Sequence, residues 1–421
     1  MRIIGFYGFF ALLLWFSVSC STQHSNMKSK TAAEILGNPD YAAVSYGGYR
    51  KTTRDVQPTI AELKEDMKIL HAMGIRIVRT YNVHLPQAAN LLKAISKLKA
   101  ENAEFEMYVM LGAWIDCLNA WTNKVVNHQV ESPRNEQEIA KAVELANQYP
   151  DIIKILAVGN EAMVRWATSY YVQPDIILKW ITHLQDLKKE GKLPKDLWIT
   201  CSDDFVSWGG GDTSYHNEDL AAIIAAVDYI SMHTYPFHNT HYNPAFWEIT
   251  QEDAKDKTPR QLIDAAMLRA RDFAISQYNG VKKHMTSLGI EKPIHIGETG
   301  WATISNGFYG RKGSHAADEY KQAKYYMLMR EWAKENGISC FYFEAFDEPW
   351  KDAGNSNGSE NHFGLITVDG KAKYALWDLV DSCTFSGLTR NGTPITKTFN
   401  GNNESVFISV LPPNILEHYL N

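Results

Sequence analysis

Apolar positions along the chain fall into eight short runs that have no helical period and read as buried strands: "YAAVSY", "GIRIVRTY", "FEMYVMLG", "IIKILAVG", "LWITCS", "VDYISMHTY", "PIHIG" and "ISCFYFEAF". Between them lie stretches such as "TIAELKEDMKILHAMG", where apolar residues recur at three and four and Gly74 supplies a stop. Strands alternating with helices, with no Rossmann glycine pattern after the first, predict a closed (β/α)8 TIM barrel over residues 41–380. Beyond it, "FSGLTRNGTPITKTF" and "SVFISVLPP" predict two or three strands around an Asn-Gly turn. Residues 381–421 are thus expected to form a short β appendage packed on the barrel, too small for a separate binding module.

The N-terminus breaks the pattern. "MRIIGFYGFFALLLWFSVSC" has one Arg, an apolar run too short to span a membrane comfortably, and small residues before Cys20. "SVSC" resembles a bacterial lipoprotein processing site, with Ser17 standing where that pattern prefers Leu. Residues 1–20 are read as an export signal ending at a lipidated Cys20, and residues 21–40 as a polar tether. The expected location is the cell envelope, anchored by lipid to the outer membrane.

Composition narrows the partners. The chain of 421 residues is 45% hydrophobic and can bury a large core. Its formal charge of -6 is small, and its Lys and Arg are dispersed, which excludes a basic nucleic-acid groove. The 12 Trp and 21 Tyr supply rings that suit a core or a sugar-binding surface. Cys117, Cys201, Cys340 and Cys383 are far apart, in no metal-like spacing, and read as free thiols.

In a barrel of this kind the chemistry gathers where strands end. "IIKILAVGNEA" places Asn160 and Glu161 directly after the fourth run, and "HIGETGW" places Glu298 after the seventh. Those strands face each other across the mouth. Two facing carboxylates, one protonated and one ionised, are what glycosidic bond cleavage needs: one protonates the leaving oxygen while the other attacks or activates water. Trp301, three residues past Glu298, offers a wide ring for a flat partner.

"VGNE", "GETGW", "HTYPF", "FEAFDEPWK" and "HFGL" together resemble glycoside hydrolase family 17, the retaining β-1,3-glucanase family. The resemblance implies Glu161 as general acid/base, Glu298 as nucleophile, Asn160 on the hydroxyl next to the reacting carbon, and Tyr235 close to Glu298. It further implies roles for Glu348, Lys351 and Glu360, with Lys351 favouring ionised carboxylates and Glu348 holding its ammonium. Glu360 stands farther along than in plant members. Tyr46, Tyr81 and Trp301 are further candidates for substrate contact.

His233, His238 and His295 fit no helical zinc spacing, so no metal is expected, and no cofactor. Arg79 suits either the mouth or an inner ion pair. Asp203 and Asp204 suit either sugar hydroxyls or a turn. Of Trp114, Trp121, Trp166, Trp208 and Trp301, at most about half should line a groove. The leading expectation is a monomeric, retaining hydrolase of laminarin-type β-1,3-glucan. A transglycosylase with the same residues and a non-catalytic glycan-binding lipoprotein are the alternatives.

Overall fold

A computed structural model describes residues 29–416, so Cys20 and the expected export signal lie outside the described residues. Eight parallel strands close into a barrel in chain order: β1 (Ala42–Ser45), β2 (Ile75–Arg79), β3 (Tyr108–Ala113), β4 (Ile153–Asn160), β5 (Trp198–Asp204), β6 (Ile230–His233), β7 (Ile294–Gly300) and β8 (Cys340–Phe343). Closure pairs Ala43 with Phe341 and Val44 with Tyr342. Every predicted run overlaps one of these strands, and four strands extend past their run toward the C-terminal ends.

Helices cover the outside. Helix α1 (Ile60–Ala72) starts on a reciprocal cap, with Thr59 Oγ1 accepting from Glu62 N at 3.2 Å and Glu62 Oε2 accepting from Thr59 N at 2.8 Å. Thr258 and Gln261 repeat that device for the 29-residue helix Pro259–Ser287. Strands β3 and β7 are buried along their whole length, as parallel strands sheathed by helices must be.

The barrel interior changes character along its axis. Toward the N-terminal ends of the strands, Ile77, Tyr108, Met110, Ile155, Ala157, Tyr229 and Phe341 form an apolar plug. Ala32, Ile35 and Leu36 seal it from below, from a segment that opens with the helix Ala32–Ile35. The tether expected over residues 21–40 is therefore corrected at Ala32, Ile35 and Leu36, whose apolar side chains are barrel core, not spacer. Toward the C-terminal ends the interior turns polar while staying buried, with Arg79, Ser202, Ser231, His233 and Glu298.

The tail holds the expected short strands and Asn-Gly turn and departs from expectation only in its last apolar stretch. Asn391 and Gly392, both with positive φ, turn a hairpin between Thr389–Arg390 and Thr393–Pro394, and Lys371–Ala372 pairs with Thr396–Lys397. "SVFISVLPP" supplies no strand; its first residues finish the helix Asn403–Phe407, capped by Asn402 Oδ1 on Ser405 N at 3.2 Å. Val406 is buried and Phe407 packs on Tyr320 and Tyr374, so these apolar residues serve one helical face. Arg390, fully buried, ties the appendage to α1 through Asp66 at 3.0 Å.

Candidate active site

A local irregularity aims the β4 acid. The β4–β5 register shifts between Ala157 and Asn160, where Gly159 takes φ 80° with only 2.8 Å between a would-be Cβ and Ala162 Cβ. Asn160 and then Glu161, itself at φ 48°, turn into the mouth, with Glu161 N donating to Ser202 O at 3.0 Å. Across the barrel, Glu298 lies within β7, two residues before its end at Gly300, with Gly297 just before it. Gly297 leaves no room for a side chain, since a Cβ there would meet Ser231 Oγ at 2.1 Å and Ser202 Oγ at 2.7 Å. An oxygen of Glu161, one of Glu298 and a ring nitrogen of His233 all lie within 4.8 Å of one another.

Glu298 is held as an anion. Arg79 Nη1 sits 2.5 Å from its Oε2, Tyr81 donates to the same oxygen at 2.8 Å, and Tyr235 donates to Oε1 at 2.5 Å. Burial by itself would raise its pKa. His233, Arg79, Tyr235 and Tyr81 outweigh burial and hold the carboxyl below the usual range. At neutral pH that work falls to Arg79 and the two phenols, because burial lowers the His233 ring to about 4 and leaves it uncharged. Glu161 is pushed the other way, to about 8, by burial first and then by the Glu298 charge, with Glu360 adding and Arg79 opposing. One carboxyl is thus ionised and its neighbour protonated.

Behind Glu161 stands a buried relay. His233 Nδ1 is 3.0 Å from Glu161 Oε1, His233 Nε2 is 2.8 Å from Ser202 Oγ, and Ser202 Oγ is 2.9 Å from Ser231 Oγ. Asn160 Oδ1 accepts from Arg79 Nη2 at 2.6 Å, and its amide nitrogen makes no hydrogen bond among the described residues, so it is free for a sugar hydroxyl. The cluster of Glu161, His233 and Glu298 offers donor atoms to a metal, but the Arg79 cation already occupies Glu298. His238 turns instead to Tyr309 and His295 to Ser339 N, so the three histidines do not converge.

Other candidates are redistributed. Trp301 is fully buried, its indole donating to Ala316 O at 2.8 Å and its ring packed on Phe237, Trp247 and Tyr325. It is core and meets no substrate, because the loop after β7 folds inward over it. Tyr46 is likewise turned into the body, its hydroxyl on Asp66 at 3.0 Å. Glu348, 2% exposed, accepts from Tyr49 N at 2.9 Å and Trp350 Nε1 at 3.0 Å, which makes it scaffold rather than a sugar contact. Lys351 stands closer to Glu344 (2.9 Å) than to Glu348 (3.7 Å). The cation on Glu298 is therefore Arg79, not Lys351. Glu360 is half-buried on the turn Ser359–Asn361, without a hydrogen bond or ion pair among the described residues. Asp203 holds the loop after β4 by accepting from Met163 N, and Asp204 shapes the turn after β5 by accepting from Val206 N. Glu344, absent from the sequence expectations, leaves β8 just as Glu161 leaves β4, and that placement is the signal the sequence offers for it.

The profile of the BtgE/BtgC glycoside hydrolase domain matches residues 43–364. The chain belongs to this glycoside hydrolase family. The family-17 resemblance of its motifs agrees with that assignment. Glucan 1,3-beta-glucosidase of Arthroderma benhamiae is 27% identical over 322 residues, 75% of this chain and 83% of that one. The btgC protein of Aspergillus niger is 25% identical over 356 residues, 81% of this chain but 43% of that one, so the chain spans under half the length of that family member. Among solved structures, an endo-laminarinase from Formosa Hel1_33_131 is 63% identical with a TM-score of 0.91, covering 93% of this chain and 100% of that chain.

Proposed function

We propose that the protein is an endo-acting, retaining hydrolase of laminarin-type β-1,3-glucan. The observation that carries this is the pair of carboxyls with opposed proton affinities, an oxygen of each within 4.8 Å of the other. Oxygens this close suit the retaining arrangement, in which the carboxyls stand roughly 5–5.5 Å apart and one of them attacks directly. The named activity of the Formosa relative supports both the substrate and the endo action.

In the first step a Glu298 oxygen bonds to the anomeric carbon as the glycosidic C–O bond breaks, and the Glu161 proton passes to the departing oxygen. The free half of the chain leaves; the other half is an ester on Glu298. In the second step Glu161, now ionised, takes a proton from water as the water oxygen bonds to the anomeric carbon and the ester bond returns its electrons to Glu298. Two inversions give net retention. A sugar hydroxyl in place of water would make the same site a transglycosylase, and labelled water set against added laminari-oligosaccharide acceptors separates the two.

The direct test is Glu298→Ala. Loss of about three orders of magnitude in kcat on laminarin is expected for removal of a covalent nucleophile, and azide should restore turnover with an inverted glycosyl azide. A folded variant keeping a tenth of the wild-type rate overturns the assignment. Envelope anchoring through Cys20 belongs to the same proposal, supported by "SVSC" and the apolar run before it. Cys20→Ser should move the protein out of the membrane fraction of a bacterial host; an unmodified mature N-terminus at another residue refutes lipidation.

A further inference from the structure

The connection after β3 is no short loop. It folds into a hairpin, Cys117–Leu118 against Asn127–Glu131, whose turn holds Trp121 at φ 62° and 58% exposed. A bulky residue in the left-handed region costs about 1–3 kcal/mol and persists only where its surroundings fix it. Here they do. Trp121 stacks on Tyr170 at 5.1 Å and 22°, and Trp114 closes on Tyr170 at 5.2 Å. The turn is tied by Asn119 Nδ2 to Val125 O at 2.9 Å and by Thr122 Oγ1 to Asn119 O at 2.7 Å. Arg134 anchors the hairpin's base through Asp116 at 2.7 Å, and Cys117 N donates to Tyr170 O at 3.1 Å. One face of the Trp121 indole is therefore covered by Tyr170 and the other is offered to solvent on a fixed mount.

Tyr170 joins this mount to the chemistry. It lies in the loop that leaves β4 with Glu161, and its phenol is pushed far up by burial and then by the charge of Glu161. Val172 N donates to Ala162 O at 2.7 Å, next to Glu161, so the backbone that carries Tyr170 is tied to the residue following the acid. A stack of three rings is too small to seat a protein partner or a bilayer, but it matches the C–H face of one pyranose ring, as amphipathic aromatic side chains at carbohydrate sites do. We propose that Trp121, backed by Tyr170 and Trp114, is a subsite that stacks on a glucosyl unit of the β-1,3-glucan chain outside the two reacting sugars. This rests on the glucanase reading above and adds to it a specificity element for chain length.

The test is the dependence of kcat/KM on laminari-oligosaccharides of increasing length. In wild type the value should rise from the trisaccharide to the heptasaccharide. Trp121→Ala should cut that rise by about tenfold, equal to about 1.4 kcal/mol, and Trp121→Tyr should restore most of it. An unchanged length dependence in Trp121→Ala, or the same fractional loss at every length, overturns the subsite. Absence of wild-type turnover on every β-1,3-linked substrate would instead overturn the glucanase reading. The platform is then judged by binding, using tryptophan fluorescence of Glu298→Gln titrated with laminarihexaose. About tenfold weaker affinity on adding Trp121→Ala supports it, and equal affinity refutes it.

Discussion

At the scale of single residues, the question is how Glu161 presents its proton to the substrate and not to its neighbours. A neutral imidazole carries one N–H, and His233 has two partners, Glu161 and Ser202. If Nδ1 carries the hydrogen, it donates to Glu161 Oε1 and leaves Oε2 to hold the acid proton toward the cleft, while Nε2 accepts from the Ser202 hydroxyl. The opposite tautomer would draw the acid proton into the ring, away from the sugar. This assignment follows from the hydrogen-bond partners and makes His233 a positioning residue. His233→Asn, whose amide can stand in for Nδ1–H, should keep laminarin activity within about tenfold, whereas His233→Ala should lose about a hundredfold. An aryl β-glucoside with a good leaving group should be far less affected, since its departure needs little acid. Equal losses on both substrates, or full activity in His233→Ala, would refute the assignment. The two acids were legible in the sequence because each directly follows a short apolar run, although in the structure Glu161 follows β4 while Glu298 is still within β7. Arg79 was visible only as a choice between mouth and inner ion pair, because its partner lies 219 positions away and no local pattern records such a contact. Trp301 was misread for the same reason: a ring on a strand-to-helix loop looks the same in sequence whether the loop folds outward or inward.

At the scale of elements, the strands were readable because burial on both faces forces continuous apolar runs, and their helices because capping residues mark their starts. What escaped is small and depends on tertiary packing. The helix Ala32–Ile35 is four residues long, far too short to announce itself by periodicity, and it exists because the barrel floor needs covering. The hairpin after β3 alternates poorly and is largely exposed, so nothing apolar marked it. The tail residues of "SVFISVLPP" alternate like a strand, yet the cap at Asn402 and the ring packing of Phe407 favour a helix. The floor gives a direct prediction. Ile35 is fully buried among barrel residues, so Ile35→Ala should destabilise the fold by about 2–4 kcal/mol through lost contact and a residual cavity. Calorimetry or chemical denaturation measures this. Because the floor lies at the opposite end of the strands from Glu161 and Glu298, kcat at low temperature should be unchanged. A loss under about 0.5 kcal/mol would mean that the segment is a tether after all.

For the whole molecule, the opposed carboxyls tie activity and stability to pH with opposite signs. Activity requires Glu298 ionised and Glu161 protonated, so kcat/KM should be bell-shaped, with its acidic limb below the ordinary glutamate range and its alkaline limb near pH 8. Such limbs belong to the coupled pair rather than to either group alone. Stability follows the same protons. A carboxyl whose folded pKa is raised binds its proton more tightly in the native state, so its contribution is complete below the unfolded value near pH 4.5 and is lost as pH climbs through about 8. Glu298 has the reverse sign: its contribution is present above about pH 4.5 and lost as pH falls through its depressed folded pKa. Glu161→Gln removes the first term and keeps the second. The difference in melting temperature, variant minus wild type, should therefore be small below about pH 4.5, widen in the variant's favour as pH rises, and level off above about pH 8. At about 1.4 kcal/mol per pKa unit the effect is large enough to resolve by calorimetry. A difference that stays flat between pH 4.5 and 8 would show that Glu161 titrates at its ordinary value. It would then be ionised at neutral pH, the acid needed for the first step would be missing, and the division of labour between the two glutamates would fail with it.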